Sequence, residues 1–169
     1  MSKHLEELVE LLVEEIYGGL AFQAFSTLVR HGRQPLSGIL QHSTLSRKQA
    51  NHALGVLVQQ HLVHHHTPPP KEEDDPLITY FEAHLQNAYN LLRSGKIILA
   101  IERRSGIGAA GLVADLLSAG HARIGDLEAA YNVKPSARDT TIAEDQHIHN
   151  PEQLHDVLRQ LLRNGYIVP

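Results

Sequence analysis

Apolar residues recur every three or four positions along much of the chain, a spacing typical of amphipathic helices. In the first half this pattern predicts four helices, at about residues 5–16, 20–30, 36–40 and 46–60. Residues 62–66 and 77–81 are β-branched or aromatic enough to predict two short strands. Between them, residues 67–76 (TPPPKEEDDP) combine four prolines with four consecutive acids. We therefore expect a hairpin whose tip, at about residues 67–75, is a disordered polar loop.

The second half repeats the first. It predicts helices at about residues 83–93, 96–104 and 107–119. Residues 28–39 align with residues 116–127 at an offset of 88, and residues 53–63 align with residues 157–167 at an offset of 104. The difference of 16 residues predicts an insertion, for which the polar segment 133–150 is the candidate. Each copy is expected to run helix, helix, extended link, short helix, turn, longer helix, strand.

A helix-turn-helix followed by a hairpin is the element order of a winged helix. We therefore predict a mainly α fold with small β wings, built as tandem winged-helix domains. Residues 1–82 are assigned to winged helix 1. Residues 83–169 are assigned to a linker helix and winged helix 2, whose wing is expected to be truncated.

The composition excludes several functional classes. The chain has 169 residues and a formal net charge of -4, which argues against non-specific phosphate binding as its main work. The absence of cysteine excludes a disulfide framework, a thiolate zinc site and a cysteine nucleophile. No apolar run approaches the roughly 20 residues of a membrane span. We expect a soluble intracellular protein that does not bind a membrane.

The last helix of the first copy is the candidate recognition helix. Arg47, Lys48 and Asn51 lie on its predicted outer side, where the cations could bind phosphates and the amide could reach a base edge. A merely solvated helix face explains the same residues equally well. In the second copy the outer face is mixed and begins with acids, so no DNA contact is expected there.

Other candidate chemistry is weak. His61, His64 and His66 could approach one another, but no carboxylate or cysteine is spaced to complete a metal site. Residues 105–108 (SGIG) resemble a fragment of a phosphate loop without the preceding strand or the following GK[ST]. No nucleophile, base and acid arrangement stands out. We therefore expect no enzymatic activity, no catalytic residue, no metal and no cofactor.

Three stretches carry a resemblance to a known family. They are LLVEEIYG (11–18), LVRHGRQPLSGIL (28–40) and NHALGVLVQQHLVHH (51–65). Together they are similar to the amino-terminal helix-turn-helix of the RNA polymerase III subunit related to the large subunit of general transcription factor IIE. Residues 89–168 resemble the second winged helix of that family, more loosely.

This resemblance implies a non-catalytic polymerase subunit of the nucleus. Its partners would be other RNA polymerase III subunits in a peripheral initiation subcomplex at the clamp, and it would help promoter opening, with weak contact to promoter DNA. In the family these modules open a longer subunit, so the chain is expected to be an N-terminal fragment. The acids of residues 72–75 depart from what a DNA-gripping wing would carry.

Two other function classes stay open. A stand-alone winged-helix transcriptional regulator would have one wing per chain, a basic wing, and terminal helices for dimerisation. A pure protein-interaction module would use the same helices to present apolar patches to partner subunits. Titration with DNA at low salt separates such a module from a DNA-binding protein.

Overall fold

A computed structural model describes residues 3–69, 76–131, 148 and 151–168. The chain forms two compact units, Met1–Leu92 and Arg93–Pro169. The predicted domain boundary at residue 82 lies ten residues before this division. Among the described residues, no helix is both long and apolar enough to cross a membrane.

The first unit combines helices with one small sheet. Its elements are α1 (Lys3–Tyr17), α2 (Gly19–His31), β1 (Gln34–Pro35), α3 (Leu36–His42), α4 (Arg47–Gln59), β2 (Val63–His66), β3 (Tyr80–Ala83) and α5 (Leu85–Asn90). The strands are antiparallel in the order β1-β3-β2. This is the winged-helix arrangement, and the predicted fold class, mainly α with a small β wing, is confirmed.

Burial of α2 organises this unit. Ala21, Ala24, Phe25 and Leu28 on α2 are buried, and α2 packs against both α1 and α4. The other core side chains come from α1, α3, α4 and α5, from the turn before α4 and from the residues just after it. They include Val9, Val13, Ile39, Leu45, Leu54, Leu57, Leu62 and Ala88. Because Ala88 lies on α5, that helix belongs to the first core although the sequence assigned it to the second domain.

The hairpin differs from its prediction at three points. The returning strand begins at Tyr80 instead of residue 77, and Leu77 and Ile78 are exposed. The ladder ends at the His66–Tyr80 pair, and one step beyond it the hydroxyl groups of Thr67 and Thr79 lie 2.8 Å apart. β1 was predicted only as an extended link, but it pairs with β3 through Gln34 and Phe81. Most of the predicted disordered loop, residues 70–75, lies outside the described residues.

The second unit contains α6 (Ser94–Ser105), α7 (Ile107–Ala119), α8 (Ile124–Tyr131) and α9 (Pro151–Arg163). A short 3₁₀ turn, Leu91–Arg93, precedes α6. Four fully buried side chains form the centre of its core, namely Ile101, Leu112, Leu154 and Leu161. Tyr131 on α8 donates a hydrogen bond to Asp115 on α7 at 2.6 Å. Burial and this bond raise the pKa of the Tyr131 phenol.

The internal repeat is confirmed by backbone geometry at the corner between the first two helices of each unit. Gly18 has φ 84° and ψ 172°, and Gly106 has φ 88° and ψ 171°. The Gly18 N–H donates to the Glu14 carbonyl at 2.9 Å, and the Gly106 N–H donates to the Glu102 carbonyl at 3.0 Å. These positions are 88 residues apart, as the first alignment requires.

The last helices end alike at the second offset, 104. The Leu62 N–H donates to the Leu57 carbonyl at 2.9 Å, and the Tyr166 N–H donates to the Leu161 carbonyl at 3.0 Å. The wing is where the copies differ. The strand expected at Tyr166 is not formed, since no described residue pairs with it and an isolated strand lacks ladder hydrogen bonds. That prediction is wrong for the described residues.

Two glycines of the second unit should respond oppositely to the same substitution. An added Cβ meets nothing within 4 Å at either Gly106 or Gly111. Gly106→Ala should destabilise the chain by about 1–3 kcal/mol, because its backbone angles suit glycine alone. Gly111→Ala, inside α7, should stabilise it by about 0.5–1 kcal/mol. Urea unfolding followed by circular dichroism measures both, and equal effects would contradict the corner geometry.

The start of α4 rests on a capping box. Ser46 Oγ accepts the Gln49 N–H at 3.4 Å, and Gln49 Oε1 accepts the Ser46 N–H at 2.9 Å. Ser46→Ala should therefore lower the free energy of unfolding by about 1 kcal/mol. Ser37→Ala, at an exposed position of α3, is the matched control and should change it by under about 0.5 kcal/mol. Similar losses in both variants would show that the cap contributes nothing specific.

Candidate nucleic-acid interface

α3, the turn at residues 43–46 and α4 form the helix-turn-helix of the first unit. Ser43 Oγ donates to the Ile39 carbonyl at 2.7 Å and accepts the Leu45 N–H at 3.4 Å, which closes the turn. Leu45 is buried at its centre. Thr44 Oγ1 donates to Gln23 Oε1 on α2 at 2.9 Å. These contacts hold the turn against the core and so set the direction in which α4 begins.

The far end of α4 is also anchored. The Tyr17 hydroxyl at the end of α1 donates to Gln60 Oε1 at 3.3 Å, and burial raises the pKa of that phenol. Along the helix, the inner side chains Ala50, Ala53, Leu54 and Leu57 are buried in the core. With both ends and one face held by the core, the opposite face of α4 has a defined orientation toward solvent.

The three residues that the sequence singled out lie together on that solvent face. Arg47, Lys48 and Asn51 are all exposed. Arg47 and Asn51 are four positions apart and so share one side of the helix. Within the described part of the chain, neither Arg47 nor Lys48 forms an ion pair. The cluster therefore presents two charges that no described acid neutralises.

The charge distribution at the N-terminus of α4 favours binding of an anion. Its first turn contains no acid, and the helix dipole places partial positive charge on the free N–H groups there. Cations at this end oppose the dipole and do not stabilise the helix, so helix stability does not account for Arg47 and Lys48. The same arrangement is favourable for a phosphate, to which both the N–H groups and the side chains are attracted.

A groove beside this cluster was not predicted from the sequence. It lies between α4 and the sheet, with Asn51, Gly55 and Gln59 on the helix side and His65, Thr79 and Phe81 on the strand side. The strand side depends on the pairing of His65 with Phe81. Alternation along β2 could have indicated that His65 faces away from the core. Only the long-range pairing reveals that Phe81 lies opposite it.

The strands add a second feature near the hairpin. The Arg33 guanidinium lies over the Tyr80 ring, 5.4 Å from its centroid. The His64 and His84 rings are stacked, with centroids 4.5 Å apart. The acids 72–75, which the sequence analysis weighed against phosphate contact, lie outside the described residues. The charge of the wing tip is therefore known from the sequence alone.

The equivalent helix of the second unit has a different surface. Its exposed polar residues are Glu152, Gln153, Asp156, Arg159, Gln160 and Arg163. Arg159 pairs with Asp156 at 3.1 Å, and His155 Nε2 lies 2.7 Å from Glu128 Oε1 on α8. Asp156 of the same helix thus neutralises one of its cations, whereas α4 has no acid in its first turn.

The other sequence candidates form no site among the described residues. Among the described residues, no group of three or more histidine, aspartate or glutamate side chains is placed to hold a metal ion. Residues 105–108, which resembled a phosphate loop, form the glycine corner between α6 and α7. The Gly106 conformation explains that glycine, as the packing interpretation of the sequence expected.

Comparison with known proteins places the chain in a family. A family profile described as the RNA polymerase III subunit RPC82 helix-turn-helix domain matches residues 7–67, which run from α1 to just past β2. The chain is 47% identical to the DNA-directed RNA polymerase III subunit RPC-3 of Coccidioides immitis over 135 residues, covering 80% of this chain and 20% of that protein.

Two further relatives extend the match. The DNA-directed RNA polymerase III subunit rpc3 of Botryotinia fuckeliana is 38% identical over 99% of this chain and 26% of its own length. The rpc3 subunit of Aspergillus oryzae is 40% identical over 91% of this chain and 23% of its own length. The chain thus spans about a quarter of these curated relatives. The relatives are named RPC-3 or rpc3. This chain belongs to the RNA polymerase III subunit RPC82 family, and residues 7–67 form the helix-turn-helix domain that the family profile matches.

Proposed function

We propose that this chain acts within a non-catalytic subunit of DNA-directed RNA polymerase III, in transcription initiation and promoter opening. The observation that carries the proposal is the 47% identity, over 80% of the chain, to a protein named as a subunit of that polymerase. Its partners would be other polymerase III subunits, in a peripheral initiation subcomplex at the clamp. It would act in the nucleus, where the polymerase transcribes its template DNA.

The folded units suit an accessory role. Helix-turn-helix units expose one helix on a rigid core, a geometry used to bind nucleic acid or protein. Fold alone does not assign function, so the proposal rests on the family and on the surface of α4. A stand-alone regulator is not favoured, because the relatives are named as polymerase subunits.

The subunit role has a direct test. Native purification of the full-length protein should retain the other polymerase III subunits in stoichiometric amounts. Polymerase depleted of the protein should lose initiation on a duplex promoter and keep RNA synthesis on a pre-melted template, because opening alone is impaired. Adding the protein back should restore duplex initiation. Equal loss on both templates would contradict a non-catalytic role in opening.

We further propose weak, non-specific nucleic-acid binding at Arg47, Lys48 and Asn51. The exposed cations at the start of α4 and the positive end of its helix dipole support this contact, and the adjoining groove offers Asn51 a place beside a base edge. Two cations limit its strength. We expect a dissociation constant of roughly 10–100 micromolar or weaker, with a salt slope near -2 because each phosphate contact contributes about -0.9.

Replacing both cations should remove this binding. Arg47→Ala/Lys48→Ala should abolish duplex binding at about 50 mM salt, where the electrostatic contribution is large. Its unfolding midpoint should stay nearly unchanged, because exposed substitutions usually change stability by under about 0.5 kcal/mol. Fluorescence anisotropy with a labelled duplex measures the affinity and the salt slope.

The matched control carries the same change in charge elsewhere. Arg159→Ala/Arg163→Ala removes two exposed cations from α9 and should leave most of the binding intact. If both double variants weakened binding equally, the attraction would come from overall charge and not from α4. If the α4 variant bound duplex as well as the parent chain, the interaction-module interpretation would replace DNA contact.

A further inference from the structure

The apolar surface of α1 extends beyond its buried side. Val9 and Val13 are fully buried against the core of the first unit. Beside them on the helix surface, Leu8, Leu11 and Ile16 are 41%, 61% and 52% exposed. Leu12, which lies between them on the helix surface, is half-buried. We name these four residues, Leu8, Leu11, Leu12 and Ile16, the α1 outer stripe.

The α1 outer stripe is continuous. At about 100° per residue its members cover an arc of about 140°, and at about 1.5 Å per residue they extend over about 12 Å of helix. Single exposed leucines are common on protein surfaces and need no explanation. Neighbouring exposed apolar side chains form a contiguous patch, and large patches of this kind mark interaction sites. A stripe with helical spacing is complementary to another helix packed along it.

Acids accompany the α1 outer stripe. Glu7, Glu14 and Glu15 are exposed, and neither Glu14 nor Glu15 forms an ion pair with a described residue. Glu10 points the other way, toward Arg30 on α2 at 3.5 Å. The outer surface of α1 is therefore apolar and negatively charged. A complementary surface would carry apolar side chains bordered by lysine and arginine.

The repeat shows that this surface is not a requirement of the fold. At the offset of 88, Leu8, Ile16 and Glu15 correspond to Lys96, Arg104 and Arg103 on α6. Leu12 corresponds to Ala100, and only Leu11 meets another leucine, Leu99. Lys96, Arg103 and Arg104 are exposed on α6, as are Ile97 and Leu99. Three of the five compared positions are therefore basic on α6, so the fold does not require the combination of leucines and acids that α1 presents.

We propose that the α1 outer stripe is a docking site for an amphipathic helix of another polypeptide, with an apolar ridge bordered by lysine and arginine. Two-fold pairing of α1 with a second copy is disfavoured, because it would bring Glu7, Glu14 and Glu15 of both copies together. The docking site involves neither α4 nor nucleic acid and goes beyond the proposed polymerase function. An experiment can therefore disprove the docking site without disproving the polymerase function.

The test uses the 169-residue chain and two synthetic helical peptides. The first carries leucine at heptad positions a and d and lysine at e and g. The second replaces every lysine by glutamate. Fluorescence anisotropy should show binding of the lysine peptide and at least about tenfold weaker binding of the glutamate peptide, because like charges oppose docking. Glu7→Lys/Glu14→Lys/Glu15→Lys should reverse this preference.

A second pair of variants separates docking from general attraction to an acidic protein. Leu8→Gln/Leu11→Gln keeps every charge and should weaken the lysine peptide by about tenfold or more, since it removes apolar area from the contact. Leu99→Gln/Leu117→Gln changes two comparably exposed leucines of the second unit and should leave binding unchanged. Unchanged thermal midpoints would show that both variants fold.

Three outcomes would overturn the proposal. The first is no detectable binding of the lysine peptide. The second is equal weakening by both leucine variants, which would mean that the attraction is not located on α1. The third is concentration-dependent self-association, in light scattering, that Leu8→Gln/Leu11→Gln removes, because the occupant would then be the basic α6 side of a second copy.

Discussion

Burial of α2 between α1 and α4 is the interaction on which the first unit depends. Phe25 is fully buried, and Ala21 and Ala24 let the neighbouring helices approach closely. This packing decides which side of α4 faces inward. Lys48 lies on the side of α4 away from Ala50, Leu54 and Leu57, and Arg47 is exposed in the first turn of the helix.

The two units share a frame and differ in their surfaces. The glycine corners at Gly18 and Gly106 have nearly the same backbone angles, and the last helices end with the same hydrogen-bond pattern. The surfaces diverge in charge. α4 presents unpaired cations where α9 pairs Arg159 with Asp156, and α1 presents leucines and acids where α6 presents bases. Both proposals therefore rest on the first unit and on positions where it departs from its repeat.

Much of the candidate site could be predicted because it is local. Ser46 and Gln49 form a cap three residues apart, and the 3.6-residue period sets Lys48 and Asn51 away from the inner alanines and leucines. The groove beside α4 could not be predicted in this way. Its other wall contains Phe81, which is brought there by pairing between β2 and β3, two strands that lie 14 positions apart in the sequence at the His66–Tyr80 pair. Such pairing depends on strand register, and a shift of one residue moves every side chain of the strand to the other face of the sheet.

The sequence by itself determined the helices, their order, the repeat and the outward position of the α4 cluster, because periodicity, caps and glycines act within a few residues. The tertiary structure decided the rest. It paired β1 with β3, ended the hairpin ladder before Pro68, placed α5 in the first core and left the α1 outer stripe uncovered. Each of these depends on which distant segments meet, and an apolar stripe such as that of Leu8, Leu11 and Ile16 looks the same in a sequence whether the fold covers it or not.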